Sequence, residues 1–252
     1  MGFFLRYNYH RKRRKRMKNI AVIFAGGVGK RMNNASKPKQ FLKCKDKPIL
    51  VYTLEKFNNN KSIDGIVLVM LKEYIEESKQ LVKDYKLDKV IDVVEGGETC
   101  QDSIFNGLKR VHDTYDDAVV LIHDGVRPLI DDETITKNIE CINKNGSAIT
   151  VSNAFETITL KSKDNLVEDI IDRSACQYAR APQSFYLKDI YDSHLKAIND
   201  NKHDYIDSAF LMSHYGHPLY TVVGNPENIK ITTLNDYYMF CSLIENSGKN
   251  VD

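Results

Sequence analysis

From Asn19 onward the chain alternates short β-branched apolar runs with stretches in which apolar residues recur every three or four positions. IAVIF (20–24), GIVLVML (65–71), KVIDVV (89–94) and AVVLIHD (118–124) have strand length and no polar alternation, the pattern of strands buried on both faces. Between them lie helical periods: Ile49, Leu50, Thr53, Leu54 and Phe57; Tyr74, Ile75, Ser78 and Leu81; Ile104, Leu108 and Val111. Strand alternating with helix predicts βαβ units, hence an α/β fold with a mostly parallel sheet.

After Asn145 the rhythm changes. The stretch 147–185 contains two or three strand-like runs separated by polar turns and no long helical period. It reads as an antiparallel excursion, either an arm or a substrate-side insertion. Helical pattern returns in LKDIYDSHLKAI and IDSAFLMSHYG, followed by a predicted strand pair, PLYTVVG and NIKITT, and a final helix from about Asn235. With neither a repeat nor a low-complexity linker, the expectation is one domain over 17–252, with the arm at about 150–182.

Composition narrows the class. The 252 residues are 42% hydrophobic and 28% charged, as in an ordinary globular protein. No apolar run approaches the roughly 20 residues of a membrane-spanning helix. Five scattered cysteines without a CxxC pair suit neither a disulfide framework nor a zinc site and read as reduced cytoplasmic thiols. The net charge of +2 conceals an asymmetry: residues 1–16 hold seven of the 36 basic residues and no acid, leaving 29 basic against 34 acidic residues in the body. A nucleic-acid reader spreads cations over its folded surface, so the body predicts no nucleic-acid partner. HRKRRKR is then either a nucleic-acid or membrane-surface tail, or an unstructured extension upstream of a natural start at Met17.

Ligands of open parallel sheets bind beyond the carboxyl ends of the strands, which singles out four positions. AGGVGKRMNNASKPKQF follows the first run; its glycines admit a phosphate close to the backbone, and Arg31 and Lys39 stand near enough in sequence to hold a triphosphate. It fits neither a Walker A loop nor a dinucleotide fingerprint. EGGETCQDSIFNGL follows the third run, and its Ser103 is either a helix cap or a hydrogen-bonding group for a base or ribose. In LIHDGVRPLI, Asp124 ends a strand; it is either a Mg²⁺ ligand beside the phosphates or a turn residue paired with Arg127. Lys230, in NIKITT, faces away from Ile229 and Ile231 and is solvated unless the context recruits it.

Taken in order, AGGVGKRMNNASKPKQFL, EGG with DSIFNGL, HDGVRP, ETI, DR, APQSF and GNPENIKIT resemble the cytidylyltransferases of the methylerythritol-phosphate and ribitol-phosphate type, from about Met17 to the end. The resemblance implies a Rossmann-like nucleotidyltransferase fold, a homodimer that exchanges a β-arm, and transfer of CMP from CTP to a polyol phosphate with Mg²⁺. It implies that Gly26, Gly27 and Gly29 line the CTP phosphates and that Arg31, Lys39 and Lys230 neutralise charge at the α-phosphate. Ala25, Gly97 and Ser103 would recognise cytosine and ribose, Asp124 would hold Mg²⁺, and Thr157 and Arg173 would serve the acceptor, Arg173 binding its phosphate from the arm of the second subunit. AGG, EGGE and PQSF lean to D-ribitol 5-phosphate over 2-C-methyl-D-erythritol 4-phosphate. Cys100, Ala181 and Gly125 depart from the family's usual Arg, Thr and Ala, and the first two leave open a nucleotide-binding regulatory protein without turnover.

Overall fold

The structure, a computed structural model, describes residues 16–27 and 37–246. Its centre is a seven-stranded sheet in the order β11 (Thr221–Val223), β7 (Ser147–Asn153), β10 (Gln177–Tyr186), β6 (Ala118–Asp124), β1 (Lys18–Phe24), β4 (Gly65–Met70) and β5 (Val90–Glu95). β1 (Lys18–Phe24), β4 (Gly65–Met70) and β6 (Ala118–Asp124) are the first, second and fourth apolar runs. They lie side by side in parallel, with Phe24 level with both Val69 and Asp124. β5 (Val90–Glu95) continues the parallel set at one edge, and Met70 is level with Glu95. Four strand ends therefore finish on one line, and the loops that follow them share one rim of the sheet.

Helices cover both faces. α1 (Ile49–Asn59), α2 (Ile75–Asp84) and α4 (Asp132–Asn145) bury Leu54, Phe57, Ile135 and Ile142 against Ala21, Ile23, Leu68 and Leu121. α3 (Cys100–His112), α5 (Leu187–Asn199) and α6 (Ser208–His214) bury Ile104, Leu108, Ile190 and Met212 against Ile20, Val22, Val67 and Val120. Successive residues of β1 thus enter opposite cores, which is why its sequence shows no polar alternation. The helix α4 was not among the expected periods, although Ile135, Ile139 and Ile142 repeat at helical spacing.

The excursion after Asn145 divides between sheet and arm. β7 (Ser147–Asn153) and β10 (Gln177–Tyr186) run antiparallel to each other inside the main sheet, and β10 is also antiparallel to β6. Beyond their outer ends, β8 (Ile158–Lys161) and β9 (Val167–Ile171) pair as a separate antiparallel hairpin, the expected arm. β11 (Thr221–Val223) adds in parallel to β7 at the far edge. A two-residue hairpin, β2 (Lys43–Cys44) with β3 (Lys47–Pro48), leads into α1 and packs near the last helix, α7 (Leu234–Asn246).

Two expectations are corrected. KVIDVV is not buried on both faces: β5 is an edge strand, with Ile91 exposed and Asp92 paired to Arg110. NIKITT forms no strand; Ile231 is fully buried with Phe240 and Val126, and its amide donates to the Val126 carbonyl, so this segment is fastened to the turn after β6 instead of to a sheet edge. Among the described residues all five cysteines are free thiols, and no helix is long and apolar enough to cross a membrane. The basic stretch 1–15 lies outside the described residues.

Candidate active site at the rim of the sheet

The rim is assembled from short turns that hang on strand ends. After β1, the Ala25 amide donates to Val69 O at 2.8 Å, and the Ala25 carbonyl accepts from Gln40 Nε2 at 2.6 Å. Gln40 is buried, so this bond fastens the single 3₁₀ turn Lys39–Phe41 to the glycine turn and sets the half-buried Lys39 beside it. Gly29 and Arg31 lie outside the described residues. Lys37, on the same loop, pairs with Glu77 at 2.7 Å on the surface.

After β5, Gly96 and Gly97 turn the chain into α3. Thr99 is the N-cap, accepting from the Asp102 amide while the Asp102 carboxylate accepts from Thr99 N. The cap reading of Ser103 is thereby corrected, because Thr99 holds that role. Ser103 Oγ instead accepts from the Gly97 amide at 3.0 Å, and a Cβ added to Gly26 would lie 3.4 Å from that hydroxyl. Gly26, Gly97 and Ser103 therefore meet at one point of the rim. A Cβ at Gly97 would come within 2.3 Å of Asp102, so only glycine fits there.

After β6, both readings of Asp124 have to be weighed against two cations. Arg127 Nε donates to Asp124 Oδ2 at 2.7 Å, and Lys230 Nζ reaches Oδ1 at 2.6 Å. Arg127 is itself held by Asn228 O at 2.9 Å, and Asn228 Nδ2 donates to Ala181 O at 2.7 Å. Burial alone would push the Asp124 carboxyl up; Lys230 and Arg127 outweigh it and hold the pKa at about 2. The neighbouring His123 is pushed down to about 4 by burial and is neutral. Its Nε2 lies 3.1 Å from Arg127 O, so the proton sits on Nε2 and donates there. The turn needs Gly125, since a Cβ would meet that of Ala25 at 2.8 Å; an alanine, usual in the resemblance drawn above, would crowd this packing.

A cavity of about 200 Å³ opens against this cluster, walled by Phe24, Asp124, Arg127, Arg180, Gln183 and Lys230. Asp124 and Lys230 are thus brought together at the cavity, while Ala25, Gly26, Gly97 and Ser103 occupy the adjoining rim. Gly27 is exposed beside them, and a Cβ there would meet nothing within 4 Å among the described residues. Thr157 and Arg173 are not in this wall: both are exposed on the arm, and Arg173 Nη1 donates to Phe155 O at 2.7 Å. Gln40, Gln183 and Arg180 were not singled out from sequence. Gln183 bridges Asp207 and the Ala209 amide, and a polar residue inside a strand-like run, as in ARAPQSF, is the signal that could have found it.

Among the described residues no group of three or more His, Cys, Asp or Glu side chains converges as a metal cage. Asp124 offers one ionised carboxylate. That suits Mg²⁺, which takes one or two carboxylates and fills its octahedron with substrate phosphates and water. Arg127 would keep Oδ2, and Lys230, 42% exposed on a flexible stem, would release Oδ1.

Three comparisons with known proteins agree with this geometry. Residues 19–245 match the family model for IspD, 2-C-methyl-D-erythritol 4-phosphate cytidylyltransferase. A ribitol-5-phosphate cytidylyltransferase of Vibrio parahaemolyticus is 49% identical over 228 residues, 90% of this chain and 96% of that protein. A 2-C-methyl-D-erythritol 4-phosphate cytidylyltransferase of Clostridium botulinum is 40% identical over 228 residues, covering 90% of this chain and 98% of its own length. The crystal structure of 4-diphosphocytidyl-2C-methyl-D-erythritol synthase from Anaerococcus prevotii superposes with a TM-score of 0.79 at 28% identity, covering 91% of this chain and 99% of that one. The family model's match over residues 19–245, with relatives 40 to 49% identical over about nine-tenths of the chain, places it in the IspD family of cytidylyltransferases.

Proposed function

We propose that the protein transfers CMP from CTP to D-ribitol 5-phosphate, releasing pyrophosphate and giving CDP-ribitol. The observation that carries this reading is the anchoring of Lys230 and Arg127 on one buried carboxylate, directly beside the glycine rim. Ribitol is favoured over methylerythritol by the higher identity to ribitol-5-phosphate relatives, 48 to 49% against 40%.

In the proposed step an oxygen of the acceptor's phosphate attacks the α-phosphorus of CTP in line. The new P–O bond forms as the bond to the pyrophosphate bridge oxygen breaks, and the pyrophosphate departs with that electron pair. No covalent enzyme intermediate is needed, so catalysis is positioning and charge neutralisation. Lys39, Arg31 and Lys230 supply cations to the α-phosphate and the leaving group; Gly26, Gly27 and Gly29 bring backbone amides to the phosphates. Ala25, Gly97 and Ser103 receive the cytidine. Mg²⁺ on Asp124 would add Lewis-acid stabilisation of phosphate charge. The arm's Thr157 and Arg173 would serve the acceptor site of a second copy in a homodimer.

Pyrophosphate release from CTP and Mg²⁺ with a panel of polyol phosphates tests this, D-ribitol 5-phosphate being expected to react fastest. Preference for 2-C-methyl-D-erythritol 4-phosphate would move the protein to the other branch of the family. CTP binding with no release from any acceptor would leave the regulatory reading standing. Within the enzyme, Lys39→Ala and Arg31→Ala are each expected to lower turnover by roughly 10²- to 10³-fold, the loss on deleting one preorganised donor. Near-normal turnover in either would remove that residue from the phosphate site.

A further inference from the structure

A cation in the cavity wall, Arg180, has no role in the reaction as just described. Arg180 is half-buried in the cavity wall together with Asp124, Arg127 and Lys230. The two other cations are satisfied by Asp124, but Arg180 has no carboxylate within salt-bridge distance among the described residues. Its recorded contacts are Ser152 Oγ, 3.1 Å from Nε, and the ring of Tyr178, 5.9 Å from the guanidinium carbon. A neutral hydroxyl engages one of its five donors, which leaves the guanidinium fork uncommitted.

The position follows from the backbone. β10 pairs in register with β7 at Gln177–Ala179 and again at Gln183–Phe185, with a register shift between. The shift takes Arg180, Ala181 and Pro182 out of the ladder at the point where β10 passes the end of β6. The Ala181 carbonyl there accepts from Asn228, the residue whose own carbonyl holds Arg127. Ala181, the residue after Arg180, is thus joined to the Asp124 cluster by one short chain of hydrogen bonds, and Arg180 shares one cavity with that cluster.

Burial pulls the Arg180 pKa down and the nearby Arg127 charge adds to this, while the carboxylates of the same wall are engaged elsewhere, Asp124 by Lys230 and Arg127 and Asp207 by Gln183. A half-buried cation without a counter-charge is a place where a phosphate gains more than it does in water. The acceptor must deliver its phosphate to the α-phosphorus, next to Lys230. The phosphate therefore has to enter the cavity that Arg180 lines. The arm's Arg173 is exposed and outside that cavity in its own protomer.

We propose that Arg180 binds the acceptor's phosphate within its own protomer, selecting phosphorylated polyols and orienting the attacking oxygen toward the α-phosphorus. The inference rests on the cytidylyl-transfer reading, but not on which polyol is the acceptor. Arg180→Gln and Arg180→Lys test it by steady-state kinetics, varying the acceptor and CTP separately, with thermal melts as a check on folding. Arg180→Gln should raise KM for D-ribitol 5-phosphate roughly 10- to 100-fold, the worth of a hydrogen bond to a charged group, and leave KM for CTP unchanged. Arg180→Lys should recover part of the loss. Inorganic phosphate should compete with the acceptor in the wild type and compete less well against Arg180→Gln. An unchanged acceptor KM, or equal rises in both KM values, would overturn the proposal.

If the wild type prefers 2-C-methyl-D-erythritol 4-phosphate, the same split is read with that substrate; the ribitol assignment then fails and the role of Arg180 stands. If neither acceptor reacts, the transfer reading itself fails. Calorimetric titration with inorganic phosphate then decides Arg180: weaker binding by Arg180→Gln sustains the anion site, and equal binding overturns it.

Discussion

Asp124 is structural in its ion pairs and, in the proposed reaction, chemical as well. Its two oxygens anchor Arg127 and Lys230, so removing its charge leaves one buried and one half-exposed cation facing each other. Asp124→Asn is expected to destabilise the fold by about 3 kcal/mol, the lower end for a broken buried pair because Lys230 is partly solvated, and to abolish transfer. Urea titration at neutral pH measures the first effect, and a midpoint equal to that of the wild type would contradict it. The acid side of the stability curve belongs to other residues first. Burial pushes His123 and His194 down to about 4, and His194 has no hydrogen-bond partner on either ring nitrogen among the described residues. A histidine whose folded pKa lies below its unfolded value near 6.5 gives stability that is complete above 6.5 and lost as pH falls through 4. Asp124 follows the same sign lower down, its contribution fading between about 4 and 2. The melting temperature should therefore fall between pH 6.5 and 4. His194→Phe, which keeps the stacking on Phe105, should flatten that fall; equal slopes in both proteins would show that His194 does not set it.

Among the elements, α3 carries the sharpest packing requirement. Gly107 lies where the helix crosses β1 and β4, and a Cβ there would sit 2.5 Å from Val22 Cγ1 and 2.7 Å from Val69 Cγ2. Helix propensity favours Gly107→Ala by roughly 1 kcal/mol. Overpacking two buried, β-branched strand residues costs roughly 1 to 3 kcal/mol, so the substitution is expected to lower stability on balance. A higher urea midpoint for Gly107→Ala would show that the contact yields. The same contrast between local pattern and tertiary context marks what could be read from sequence. β1, β4 and β6 were legible because burial on both faces removes polar residues from a strand. β5 has a similar composition, yet its edge position follows from strand order, which no local pattern encodes. NIKITT has strand composition but spends it on the Val126 carbonyl and the α7 pocket. The rim residues Gly97 and Asp124 were legible because they lie at or just beyond strand ends. Arg180 was not, since its importance comes from a register shift in β10 and from lacking a counter-charge, and both depend on partners distant in sequence.

At the scale of the molecule, the arm remains incomplete by itself. A two-stranded hairpin is marginal in water. β8 and β9 form a sheet of two strands, and with the turn between them they expose Leu160, Leu166, Val167 and Ile170. A second copy would cover such a surface and bring Thr157 and Arg173 to the other copy's rim. Light scattering should then report a dimer, but oligomeric state alone does not tell whether arm residues act across the interface. Complementation does. Lys39→Ala and Arg173→Ala are each expected to be inactive alone; in a mixed dimer the protomer carrying Arg173→Ala keeps its own Lys39 and receives an intact Arg173 from its partner. Half of the dimers in an equal, fully exchanged mixture are mixed, and each has one whole site, so activity should return to about a quarter of wild type if the arm is exchanged between two equivalent protomers. Arg180 gives the opposite expectation, because it and Lys39 belong to one protomer's site. Mixing Lys39→Ala with Arg180→Gln assembles no site better than the one Arg180→Gln already has. Recovery in the first mixture without recovery in the second assigns Arg173 across the interface and Arg180 within the protomer; no recovery in the first would return Arg173 to its own chain or remove it from the site.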